Sequence, residues 1–173
     1  MNNNIEERYK KIGHLIGHIE KVLSHTVSCT IRNENKLYSG SWDGIIHIWN
    51  TETYEEIATL EGHTGDVIRL ILSDNKLYSG SYDETIRIWN AETYEEIATL
   101  RGHTNPVSCL TIHENKLYSG SMFMDNTIRV WNTETYEEIS TFIGHIESVS
   151  RFTLLKNKLY LGSRDKIIRV WNT

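Results

Sequence analysis

Scarcity marks this sequence first: 173 residues contain one proline and two cysteines, and no apolar run approaches membrane-spanning length. With Pro106 as the only proline, no Pro- or Ser-rich linker divides the chain, so a single domain is expected. The first residues, Met1-Asn2-Asn3-Asn4-Ile5-Glu6-Glu7, lack the charged-then-apolar order of a secretory leader. Cys29 and Cys109 occupy equivalent places in two copies of a repeat, which suits a small buried side chain rather than a disulfide. A reducing, cytoplasmic setting is therefore expected. The net charge is −5 and no basic stripe is visible, which argues against nucleic acid as a partner. No phosphate loop, Gly-x-Ser-x-Gly turn or zinc-type Cys/His spacing occurs, so neither cofactor nor metal is expected.

What the chain has in abundance is itself. Trp49, Trp89, Trp131 and Trp171 recur at intervals of 40, 42 and 40 residues, each followed by asparagine. Lys-Leu-Tyr-Ser-Gly-Ser starts at Lys36, Lys76 and Lys116, and returns at Lys158 with leucine in place of the first serine. The segment 54–60 is repeated unchanged at 94–100. A period near 40 residues signals stacked units that need their neighbours to bury their faces.

Within a unit the pattern is strand. In the second copy, 67–72 is rich in β-branched and aliphatic residues, and 73–75 reads as a turn. Residues 77–81 and 85–89 follow as strands, and Tyr94 to Thr99 as a fourth, outer one. The Glu-Glu pairs at 55–56, 95–96 and 137–138 favour helix, but seven residues between turns are too few for one; they read instead as a solvated rim. Four short antiparallel strands per unit, lettered a (inner) to d (outer), make a propeller blade. The class is all-β, with blades over 18–60, 61–100, 101–142 and 143–173, the last without its own outer strand.

The Gly-His pairs at 62–63, 102–103 and 144–145, the Ser-Gly-Ser followed by aspartate, and the tryptophan closing the third strand resemble the WD40 repeat family, with Trp-Asn for Trp-Asp. The resemblance implies a buried hydrogen-bonded tetrad in each blade. By position these are His63, Ser79, Asp83 and Trp89, then His103, Ser119, Asp125 and Trp131. In the fourth blade Leu161 takes the serine's place beside His145, Asp165 and Trp171. In the first, His18 or His25 serves Ser39, Asp43 and Trp49, and the Gly17-His18 pair favours His18. Ser, His and Asp together suggest a hydrolase, but their recurrence in several blades points to a structural role, not an enzyme. His47 and His113 stand outside the pattern and read as surface or packing residues.

Residues 8–18 align without gaps to 53–63, so the segment 5–17 is expected to supply a closing outer strand, as WD40 propellers share strands. Four blades can close alone, or two chains can meet head-to-tail as an eight-bladed homodimer, the leading expectation. The resemblance places partner contacts at the residue before each turn aspartate, Trp42, Tyr82, Met124 and Arg164, and at the start of each inner strand. The latter positions are Thr26 and Ser28, Asp66 and Ile68, Pro106 and Ser108, and Ser148 and Ser150. They vary while the framework around them repeats, and with Phe123 they form a candidate face for a protein or peptide. The alternative is a purely structural self-assembling unit, recently amplified or engineered, with no evolved ligand.

Overall fold

The computed structural model describes residues 26–143, 149–163 and 166–172. The expected closing strand at 5–17, and His18, His25, His145, Arg164 and Asp165, lie outside the described residues. The first sheet comprises β1 (Val27–Asn33), β2 (Lys36–Ser41), β3 (Ile46–Asn50) and β4 (Glu56–Leu60). The second has β5 (Val67–Ser73), β6 (Lys76–Ser81), β7 (Ile86–Asn90) and β8 (Glu96–Leu100). The third has β9 (Val107–His113), β10 (Lys116–Ser121), β11 (Thr127–Asn132) and β12 (Glu138–Ile143). The fourth has three described strands, β13 (Val149–Leu155), β14 (Lys158–Ser163) and β15 (Ile168–Asn172). Each sheet is an antiparallel meander in chain order.

Short connections impose that meander. Asp74 and Asn75 both take positive φ, 48° and 59°, the pairing that a two-residue hairpin needs to match strand twist. After each third strand comes a wider turn. The Asn90 side-chain oxygen accepts the amides of Glu92 and Thr93 at 2.8 and 2.9 Å, and its backbone pairs with Glu95 and Tyr94. Asn50 and Asn132 do the same in their blades. This is the use of asparagine after tryptophan: an uncharged cap for two amides that the ladder leaves open. Tyr54, Tyr94 and Tyr136 sit at φ near 62–65° inside the turn. The outer strand therefore begins at Glu96, two residues later than the sequence suggests, because the left-handed tyrosine cannot continue a ladder.

The sheets stack face to face through their inner ends, β1 against β5, β5 against β9 and β9 against β13. Between the first two lie Tyr38, Ile46, Ile48 and Leu60 from one and Val67, Leu70, Leu77 and Trp89 from the other. The same set recurs between the second and third. Between the third and fourth, Leu161 is fully buried with Tyr118, Ile128, Val130 and Leu159. The Ser→Leu exchange thus adds an apolar side chain to the joint between blades. Cys29 and Cys109 are both free thiols. Burial pushes the Cys29 thiol up to about 12, and its Sγ donates to the Val67 carbonyl of the next blade.

Replacing Asn90 with alanine removes the acceptor for two amides and should cost about 1 kcal/mol of stability, whereas aspartate keeps it. Urea unfolding at neutral pH should therefore show a lowered midpoint for Asn90→Ala and little change for Asn90→Asp.

Candidate interaction face and the tetrads that hold it

Two blades contain complete polar tetrads. His63 Nδ1 lies 2.8 Å from Asp83 Oδ2, and Nε2 lies 2.7 Å from Ser79 Oγ. Trp89 Nε1 donates to the same Oγ at 2.9 Å. The carboxylate accepts only, so the imidazole proton sits on Nδ1, and Nε2 is left to accept from the serine hydroxyl. His103, Asp125, Ser119 and Trp131 repeat this geometry at 2.8 Å throughout. Asp83 also accepts the amides of Thr64 and Thr85 and the Thr85 hydroxyl. Burial alone would raise its pKa, but the His63 and Thr85 hydrogen bonds prevail and hold the carboxyl well below the usual range. Asp125 is held down in the same way by His103 and Thr127.

The chemistry of these groups is structural. Ser79 and Ser119 are fully buried, and each hydroxyl already serves an indole and an imidazole. A nucleophile needs an open approach and oxyanion donors, and the buried hydroxyls have no such approach. In the first blade Trp49 donates to Ser39 at 2.9 Å, and Asp43 accepts the Ile45 amide. Isoleucine there, where the central blades have Thr85 and Thr127, removes a hydroxyl donor to the aspartate. Trp171 packs on Phe142 with ring centroids 6.1 Å apart.

The tetrads fix one end of the two central blades, and the same end of the blades carries the candidate face. The amide of Trp42 bonds the Thr26 carbonyl, Tyr82 bonds Asp66, and Met122 bonds Pro106, so each b–c turn is tied to the foot of its inner strand. Trp42 is 61% exposed and Met124 89%, with Tyr82 and Phe123 about half exposed. The two-residue insertion leaves Met122 in the backbone place of Trp42 and Tyr82, and pushes Phe123 and Met124 outward. Each inner strand opens with a shift of register at Ser28, Ile68, Ser108 and Ser150, as at a β-bulge. Bulges re-aim side chains out of the ladder. Ser28, Ile68 and Ser108 are partly exposed, and Ser28 hydrogen-bonds the Asp66 carboxylate across the first joint. Burial raises the Asp66 pKa, partly offset by that bond.

Some contacts carry no sequence signal within one unit. Arg87 pairs with Glu96, and Arg129 with Glu138, both at 2.5 Å across adjacent strands. His47 takes the arginine's place against Glu56 at 2.7 Å and stacks on Trp49. The second glutamate of each pair is thus tied to the neighbouring strand of its blade, by an ion pair for Glu96 and Glu138 and by a hydrogen bond to His47 for Glu56. Lys36 and Lys76 reach across joints to lie 4.9 and 5.0 Å above the rings of Tyr94 and Tyr136. Among the described residues no group of His, Cys, Asp and Glu is arranged to hold a metal, and no helix is long and apolar enough to cross a membrane.

The model of the WD domain, G-beta repeat, matches residues 9–50, 54–90, 94–132 and 136–172. The chain belongs to the WD40 repeat family. No curated protein sequence matches it significantly. Its structure is similar to the computationally designed Ika4 protein, at 28% identity and a TM-score of 0.79 over 85% of this chain and 91% of that one. It is also similar to the designed Ika8 protein, at 28% identity and a TM-score of 0.79, with 86% of this chain covering 46% of that one. A chain of the mitotic checkpoint complex matches at 26% identity and 0.79, covering 86% and 48%. This WD40 chain thus spans about half the length of several propellers that it resembles. WD40 propellers are generally non-catalytic scaffolds for protein interactions, consistent with the closed-off serines here.

The tetrad aspartates make stability depend on acid. A folded carboxylate with a depressed pKa contributes fully above the unfolded value of about 4 and loses that contribution as the pH falls toward its folded value. Asp83→Asn should cost about 1–3 kcal/mol at pH 7, and its deficit should shrink at pH 3. Denaturant melts at both pH values check this; an equal deficit at each would mean that the charge of Asp83 contributes nothing.

Proposed function

We propose that this chain is a non-catalytic scaffold that binds a protein or peptide through the end of the blades bearing the d–a loops and b–c turns. The reading rests on one observation above the others: Trp42, Tyr82, Phe123 and Met124 are exposed at corresponding turns of three consecutive blades. Soluble surfaces seldom keep such side chains in register without a use, and aromatic anchors dominate interface energies. Asp66, Ile68, Ser28 and Ser108 beside them supply a polar and apolar mix for specificity. Arg164 and Ser150 are assigned to the same face by repeat position alone.

The working form in this reading is a closed ring of two chains. Four family matches begin at equivalent tyrosines, Tyr9, Tyr54, Tyr94 and Tyr136, so each repeat opens with the outer strand of a preceding blade. The last blade then takes its outer strand from segment 5–17 of the other copy. A reducing intracellular site suits the two free thiols.

A peptide array probed with the labelled protein identifies a ligand, and isothermal titration then compares variants. The double substitution Trp42→Ala, Tyr82→Ala should weaken binding at least tenfold, about 1.4 kcal/mol. Unchanged affinity would place the ligand elsewhere. An array with no specific ligand would favour a purely structural self-assembling unit.

A further inference from the structure

The chain builds one joint between blades three times, and its two ends carry the separate halves of a fourth. On one side of each joint stand a tyrosine from the second strand and two aliphatic residues from the third: Tyr38, Ile46 and Ile48, then Tyr78, Ile86 and Ile88, then Tyr118, Ile128 and Val130. None of these is more than 3% exposed. On the other side stand a leucine and a tryptophan from the next blade, such as Leu77 and Trp89. A lysine locks the outer edge. Lys36 donates to the Ala91 carbonyl at 3.3 Å and covers Tyr94; Lys76 donates to Thr133 at 3.1 Å and covers Tyr136.

Strand register assigns the same positions in the last blade to Lys158, Tyr160, Ile168 and Val170. There Ile168 is 72% exposed, Val170 49%, and Lys158 lies in solvent. At the other end, Leu37, Trp49, Thr51 and Tyr54 occupy the complementary positions and line an open hollow of about 880 Å³. One end therefore presents the donor half of the joint and the other the acceptor half. Among the described residues the blades stack from β1 through β5 and β9 to β13, and the two halves are not packed on each other. An open arc that superposes on about half of a longer propeller has room for a second arc.

We propose that the last blade of one chain docks head-to-tail on the first blade of a second, with Lys158 donating to the partner's Thr51 carbonyl and covering the partner's Tyr54. Tyr160, Ile168 and Val170 then close over the partner's Leu37 and the partner's Trp49. This names the contact surface of the two-chain ring and rests on that reading. The interface is heterologous, and two such joints close a ring by a two-fold rotation. It removes from water Ile168, the most exposed apolar side chain described in the last blade, together with Val170.

Sedimentation velocity on the full chain and three variants tests this. The wild type should sediment as a dimer. Ile168→Asp disables the donor half and Tyr54→Lys the acceptor half, where the new ammonium meets the partner's Lys158; lysine already takes the left-handed backbone at Lys156 and Lys166. Each variant alone should be monomeric, because a carboxylate at position 168 has no partner among the apolar side chains of the joint and an ammonium at position 54 faces a second one. An equimolar mixture should regain a dimer through the one joint whose halves are both intact. Lys158→Ala, a change at an exposed side chain, should weaken self-association at least tenfold and serves if either of these variants proves unfolded by circular dichroism. A wild-type dimer with variants that still dimerise alone, or that fail to complement, overturns this joint and leaves the ring reading standing. A monomeric wild type overturns both.

Discussion

Burial of one sheet face against the next is the constraint on which the architecture depends. A four-stranded blade has two apolar faces and little thickness, so neither can be satisfied inside the blade. The stacked tyrosines Tyr38, Tyr78 and Tyr118, all fully buried, lie in the joints where each blade covers the next. Each fully buried aliphatic or aromatic side chain contributes on the order of 1.5–3 kcal/mol, so a joint outweighs any single polar contact nearby. The tetrads serve a different end. They add modest net stability, but they fix the rotamers and turns from which Tyr82 and Phe123 project, because a buried network tolerates few alternative arrangements.

Much of this was legible in the sequence because repetition shows each element several times. Strand identity and the four-blade count follow from comparing copies, and the residues of the two central tetrads from the resemblance to WD40 repeats mapped onto them. Other features were invisible for definite reasons. Tyr94 opens a short segment between turn signals and so reads as strand, yet its left-handed backbone belongs to a turn. The pair Arg87–Glu96 forms only when two strands adopt one register, and Lys76 meets Tyr136 only when two blades stack. The inner-strand bulges leave no mark in composition, since Ser28 and Ile68 differ in every property except place.

The division of labour within each blade follows from those bulges. Framework residues alternate in and out of the joints and cannot change without altering a neighbour. The bulged positions and the turn residues stand outside the regular ladder. Blade 3 illustrates the freedom: two extra residues enter its b–c turn, yet the His103–Asp125 contact keeps the 2.8 Å length of its counterpart in blade 2. A second intact contact of this kind allows one blade to be re-surfaced while the stack is preserved.

The same stacking sets an order for coming apart. Blades 2 and 3 are held on both faces by neighbours within the chain, while the described strands of the last blade are covered on one face alone, with Ile168 and Val170 facing water. In a quasi-one-dimensional array, stability is roughly a sum over nearest-neighbour contacts, so an end unit has about half the restraint of an interior one. An isolated chain therefore loosens first at its last blade, and amide protons in β14 and β15 exchange with solvent well before those in β6 and β7.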